Sequence, residues 1–295
     1  MDPGFAIQQI IYGLTVGCLY GLLAIGYTMV YGVLRLINFA HGDLFMVSSY
    51  VAFFGIVMFS LPWPFAFIGA ALITGLIGIL IDRGAYKPIR NSPRISALIT
   101  AIGVSFLLEN LALVLIGGRP KPFPLPVLFN GSLTLGQLKI PVLSIWVLAV
   151  TLVLLIVVVA IVHRTRIGMA MRALSRDIET VSLMGIDENR VISFTFALGS
   201  VLAAFGGVMW SMKYPAVDPF MGVIPGLKAF VAAVLGGIGN VTGAAIGGMI
   251  LGLAEVLIVA VEPDWSGYRD AIAFCIMILI LLTRPTGIMG EKLPD

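Results

Sequence analysis

The sequence predicts an all-α protein, a polytopic membrane bundle of about 8–10 transmembrane helices. Three observations carry this. Of 295 residues, 59% are hydrophobic and 11% charged, and the mean hydropathy is +1.06; a soluble domain carries roughly 25% charged residues to wet its surface. The apolar runs are continuous, as in 147–162, whereas a membrane β-strand would alternate in polarity over about ten residues. The 34 glycines weaken soluble helices, but in lipid they let helix backbones approach closely.

Apolar windows fall at 5–34, 44–61, 64–82, 96–116, 141–162, 191–212, 227–239, 242–261 and 267–283. Spans pack laterally, so 1–295 is read as a single transmembrane domain. The start lacks a basic n-region and a cleavage site, so the first window is expected to stay as a span. Cys18 and Cys275 sit inside apolar runs without metal-ligand spacing and read as small hydrophobes.

Orientation follows from Lys and Arg in short loops. Arg83, Lys87, Arg90 and Arg94 follow the third window; Arg164, Arg166, Arg172, Arg176 and Arg190 follow the fifth; Arg284 and Lys292 close the chain. Alternating spans put these on one face, predicted to be cytoplasmic, with the N-terminus on the other. The opposite loops are 117–140, 213–226 and 262–266. The first carries Arg119, Lys121 and Lys139, so the bias is incomplete, and its alternating prolines predict an extended or turned connector.

Two places interrupt the helical pattern. Residues 35–43 place Asn38, His41 and Asp43 between the first two windows, and 235–243 carries Gly236, Gly237 and Gly239. The window 227–239 reaches only about 20 Å as helix. Irregular backbone at membrane depth is tolerated where protein or a water-lined cavity satisfies it, and broken helices tend to line substrate paths. Tight glycine packing is the alternative. Glu109 and Glu255 fall in or near spans, where an ionised carboxylate is costly. Such groups face a cavity or a partner, and for Glu109, beside Asn110, a boundary position is the alternative; Lys228 or an adjacent subunit is the partner expected for Glu255.

Between the fifth and sixth windows, Met171, Leu174, Ile178 and Val181 recur at helical spacing, predicting a short amphipathic helix over 168–184. Gly185 suits its left-handed terminus, and Asp187 suits the cap of the next helix. Such a helix lies in the lipid interface or docks into another protein's groove. The chain has no GxxxxGK[ST] phosphate loop, HExxH, CxxC or GxSxG, so it is not expected to be an enzyme by itself.

Several segments together resemble the permease subunits of ABC importers for branched-chain amino acids, the LivH type. They are Ala24-Ile-Gly-Tyr-Thr-Met-Val-Tyr-Gly32, Asn38-Phe-Ala-His-Gly-Asp43, Lys228-Ala-Phe-Val-Ala-Ala-Val-Leu-Gly-Gly-Ile-Gly239, Met169 to Ile186, and Pro285-Thr-Gly-Ile288. The resemblance runs almost end to end. It implies a bacterial inner-membrane machine with a periplasmic amino-acid-binding protein, a second, LivM-like permease and two cytoplasmic ATPases. ATP and magnesium would sit on those ATPases, with no cofactor on this chain and no nucleic-acid partner. The segment 163–190 would couple to an ATPase through Arg172, Ala173, Leu174, Leu183, Gly185 and Ile186. Asn38, His41, Asp43, Gly236, Gly237, Gly239 and Glu255 become candidates for the translocation path. A urea or short-amide importer of the same family is the near alternative. An ion-coupled secondary transporter using Glu255 or His41 is a more distant one.

Overall fold

A computed structural model describes residues 3–290 apart from Asn91, Gln137 and Pro285, so Pro285 and Lys292 lie outside the described residues. The first half of the chain gives α1 (Pro3–Leu34), α2 (His41–Val57), α3 (Trp63–Ile81) and α4 (Arg94–Ile116). A hairpin of β1 (Ser132–Leu135) and β2 (Leu138–Pro141) leads into α5 (Val142–Arg164). Two short helices follow, α6 (Arg166–Leu174) and α7 (Ile178–Leu183). The chain then forms α8 (Glu188–Lys213), α9 (Val223–Gly236), α10 (Val241–Val261) and α11 (Arg269–Thr283).

Each apolar window is met by a helix. Seven, counted with their flanking turns, are long and apolar enough to cross a membrane. The other two, α2 with 17 residues and α9 with 14, are the short ones flanking the predicted interruptions. The protein is a multi-pass helical membrane protein.

Prolines fix several helix starts. Pro62, Pro93 and Pro141 directly precede α3, α4 and α5, with φ of −54°, −54° and −59°. A ring that locks φ and carries no N–H cannot extend an upstream ladder, so each helix begins where the proline stands. The C-terminal end of α9 is set by Gly237 at φ 108°. Three residues later, the Asn240 side chain accepts from Gly243 N at 2.9 Å and opens α10.

α1 is the central helix, packed against α8, α9 and α10. Its contact with α10 is backbone on backbone. A Cβ on Gly252 would lie 2.2 Å from Gly17 N, and one on Gly248 would lie 2.5 Å from Gly21 Cα. Glycines four residues apart on both helices form the small-residue stripe that lets membrane helices touch. By contrast α3 turns Phe65, Leu72, Leu76 and Leu80 outward, an apolar face suited to lipid.

The basic loops share one face, as predicted. Arg90 Nη1 donates to Asn189 Oδ1 at 2.9 Å and Arg90 pairs with Asp82 at 2.6 Å. Ser193 Oγ donates to Asp82 Oδ2 at 2.6 Å, and Arg35 reaches Ser175 O at 3.3 Å. On the opposite face Lys121 and Val217 exchange two backbone hydrogen bonds of 2.9 Å. The 117–140 connector is therefore turned and extended, and it is anchored to the bundle by Phe129 between Trp63 and Trp146.

The segment 168–184 is two helices, α6 and α7, and not one. Asp177 interrupts it: its side chain accepts from Thr180 N at 3.2 Å and from the Thr180 hydroxyl, so it caps a new helix where an aspartate would be poor in a helix interior. Met171, Leu174 and Val181 remain buried, while Ile178 is turned outward.

Candidate functional site

The linker 35–40 folds back into the bundle, so α2 starts inside the protein. Arg35 takes a left-handed φ of 53° and reverses the chain. Asn38, His41 and Asp43 are then 2%, 1% and 2% exposed. The His41 ring fills the space beside Gly26, where a Cβ would lie 2.4 Å from Nε2, and it meets the Tyr27 ring edge-on at 4.7 Å.

The start of α2 meets the start of α9. A Cβ on Gly42 would lie 2.6 Å from Gly222 O, and one on Gly226 would lie 2.9 Å from Gly42 Cα. Two helix N-termini, each carrying partial positive charge, thus converge inside the bundle. Around them Thr28 Oγ1, Asn38 Nδ2, His41 Nε2 and Asp43 Oδ2 are buried and find no hydrogen-bond partner in the protein. Asn38 Oδ1 accepts from Tyr86 OH at 2.8 Å. Buried polar atoms normally have partners, so this concentration points to a place that polar solute or water visits. A cavity of about 10 Å³ between Tyr27, Thr28, Tyr31, Ile37, Phe230, Ala233 and Ile238 is on the scale of one water.

The glycine candidates are engaged in packing. A Cβ on Gly236 would lie 2.0 Å from Gly243 O, and one on Gly237 would lie 2.3 Å from Gly290 N. Residues 288–289 hydrogen-bond to Leu235 O and Gly236 O at 2.9 and 3.0 Å. Gly239, at φ 95°, has open space beside it.

Glu255 is held by Lys228, the partner foreseen. Lys228 Nζ lies 2.9 Å from Glu255 Oε1 and 2.6 Å from Asp270 Oδ1, and Tyr20 OH donates to Glu255 Oε2 at 3.0 Å. The charged triad ties α9, α10 and α11, and Tyr20 adds α1. Asp270, in the first turn of α11, escaped the sequence reading because nothing local in the sequence links it to Lys228.

Glu109 is not at a boundary. It is past the middle of α4 and 7% exposed, with its carboxyl near enough to that of Asp43 on α2 for the two charges to couple. Nothing local in the sequence links residues 43 and 109; the pairing is a product of α2 packing on α4.

On the basic face the coupling candidates divide. Leu174 is 1% exposed and Ala173 and Ile186 are half-buried against the core, so these three hold the segment to its own bundle. The Arg172 guanidinium donates to Val162 O, satisfying a carbonyl in the last turn of α5. Gly185 adopts φ 79°, the left-handed stop expected, and the Asp187 side chain accepts from Arg190 N at 3.2 Å to start α8. What projects is Leu183, 88% exposed, with Met184 at 76%. Periodicity identified the buried stripe of this segment and missed Met184, which lies beyond the helix.

The family model described as "Branched-chain amino acid transport system / permease component" matches residues 9–281. The chain is 42% identical over 300 residues to the high-affinity branched-chain amino acid transport system permease protein LivH of Salmonella typhimurium, covering 97% of this chain and 96% of the relative. It is 40% identical over 298 residues to the corresponding protein BraD of Pseudomonas aeruginosa, with the same coverages. The ribose import permease protein RbsC of Haemophilus influenzae is 26% identical over 302 residues, covering 98% and 88%. A match over nearly the whole membrane bundle, with identity near two residues in five, fixes the relationship: the chain belongs to the family of branched-chain amino acid transport permeases.

Proposed function

We propose that this protein is one permease subunit of a bacterial ABC importer for branched-chain amino acids, in which ATP is hydrolysed by partner subunits. Its basic face is cytoplasmic and its N-terminus periplasmic. A second permease completes the pore, and a binding protein delivers solute at the face formed by 117–140, 213–226 and 262–266.

The observation that carries the reading is the Leu183–Met184 knob. Two large apolar side chains project from a segment whose Met171, Leu174 and Val181 are already buried, between two capped helices on the arginine-rich face. Lipid needs no such projection, whereas a docking surface uses apolar anchors of this kind. The ATPase takes the knob, and α6 and α7, packed on α8 and α1, pass its movement to the bundle. The path runs past Asn38, His41 and Asp43, where the two short helices meet.

A relative named for ribose shares the scaffold at 26% identity, so the scaffold alone does not select the solute. The branched-chain assignment rests on the relatives near 40% identity. Leu183→Asp with Met184→Asp tests the docking surface: co-purification of the ATPases with the permease pair should fall at least about tenfold, since burying two charges in place of two apolar anchors costs several kcal/mol. Undiminished co-purification refutes the assignment. Vesicle uptake of leucine, urea and ribose with the cognate binding protein decides the solute, and leucine is the expected one.

A further inference from the structure

α3 does not end as a regular helix. Asp82–Tyr86 form a π-helical turn, closed by the Lys87 N–H on Asp82 O, and such turns are rare and frequent at functional sites. The turn buries Asp82 and Tyr86, both 0% exposed, while Arg83 and Gly84 between them stay outside. Both buried residues meet the first turns of α8. Ser193 Oγ donates to Asp82 Oδ2 at 2.6 Å, and Asn189 Oδ1 accepts from Arg90, itself 2.6 Å from Asp82. Phe196, three residues beyond Ser193, packs on the Tyr86 ring with 5.3 Å between centroids. Further along the same contact, a Cβ on Gly78 would lie 2.0 Å from Ser200 Oγ. The end of α3 and the start of α8 are thus held as one body, and α8 starts at its Asp187 cap, directly after the Leu183–Met184 projection.

Tyr86 reaches out of this body into the linker. Its hydroxyl donates to Asn38 Oδ1 at 2.8 Å, and both residues are buried. Arg35, at the linker's start, holds a left-handed φ of 53°, a conformation that a side chain disfavours and that marks a place where the chain can rearrange. Its own contact with Ser175 O is exposed and 3.3 Å long, a weaker tie than the buried bond. The Tyr86 bond engages only the oxygen of the Asn38 amide; Nδ2 has no partner in the protein. A bond serving stability alone would sit in a satisfied network. We propose that Tyr86 is a positioning residue of the transport cycle: its hydroxyl carries movement of α8 to Asn38 and so turns the linker 35–40 where it borders the path. This rests on the importer reading above and adds the route from the docking surface to the path. Coupling between distant sites needs a packed chain and an element with two arrangements; the π-helical turn is the chain and the linker hinged at Arg35 is the element.

Amide hydrogen exchange on the lipid-embedded complex of both permeases and the ATPases tests this, comparing ATP plus vanadate with no nucleotide. In the wild type, exchange should change both at 178–186 and at 36–40. Tyr86→Phe keeps the ring on Phe196 and removes only the hydroxyl. In that variant the response at 178–186 should persist and the response at 36–40 should vanish. A role confined to stability would shift exchange with and without nucleotide alike and leave the difference between them. With binding protein and leucine, uptake per ATP hydrolysed should fall about tenfold in Tyr86→Phe, the worth of a buried hydrogen bond whose acceptor is left unpaired. Ser193→Ala loosens the other end of the chain and should weaken the linker response too; should Tyr86→Phe not assemble, an undiminished response in Ser193→Ala overturns the proposal. A linker that responds in Tyr86→Phe as it does in the wild type overturns it as well. So does a wild-type linker that ignores nucleotide while 178–186 responds, a result that leaves the importer reading standing. No response at either segment in the wild type ends both.

Discussion

Replacing Lys228 by Met removes the cation that joins α9 to α10 and α11. The Lys228 and Glu255 side chains are 5% and 9% exposed, with 2.9 Å between Nζ and Oε1. Removing one member of a buried pair costs about 3–5 kcal/mol, because the other charge stays in low dielectric without its partner. Tyr20 OH remains on Glu255 and offsets part of that. Asp270 is 52% exposed, so losing its arm adds only about 1 kcal/mol after solvent screening. The double variant Lys228→Met/Glu255→Met should regain most of the loss, since an apolar pair of similar volume is often as stable as a buried ion pair. Reversible unfolding of the four proteins of this cycle in mixed micelles gives the coupling directly. A double variant as unstable as Lys228→Met, or a single variant destabilised by less than about 1 kcal/mol, refutes the argument that desolvated charge dominates this triad.

Three further outcomes follow from the packing. Gly252→Ala sets a methyl 2.2 Å from Gly17 N and 2.3 Å from its Cα; neither is a side chain that can swing aside, so about 3 kcal/mol or more is lost in the same unfolding assay. The control Gly103→Ala, with nothing within 4 Å, should be neutral to about 1 kcal/mol stabilising. Asn240→Ala removes bonds to Gly243 N at 2.9 Å and Met289 O at 3.0 Å; about 1–2 kcal/mol should disappear, and amide exchange should rise at the start of α10. Gly185→Ala meets no neighbour but forces alanine to φ 79°, so its stability cost is about 1 kcal/mol, while its larger effect should be ATP hydrolysis that no longer yields uptake.

The helical membrane fold was legible because lipid imposes a strong rule: a span must be long, apolar and internally hydrogen-bonded. Both interruptions were legible for the same reason, since Asn38, His41 and Asp43 and the run Gly236 to Gly239 violate it. The stop at Gly185 and the cap at Asp187 were readable because capping is local chemistry. The break at Asp177 is local too, but the apolar stripe running across it hid the cap. Contacts between distant segments carried no such mark. Asp43 with Glu109 and Lys228 with Asp270 depend on which helices become neighbours. The split of the coupling segment into a buried stripe and a projecting Leu183–Met184 depends on the same packing.

The central claim is that a permease with no nucleotide site of its own is driven through the segment around Leu183. Leucine uptake into vesicles holding the permease pair, with binding protein outside and ATP inside, compared with and without the ATPases, tests it most directly. Uptake against a gradient should require the ATPases and vanish when Leu183 and Met184 are both aspartate. Accumulation by the permease pair alone, or undiminished pumping by that variant, would contradict it.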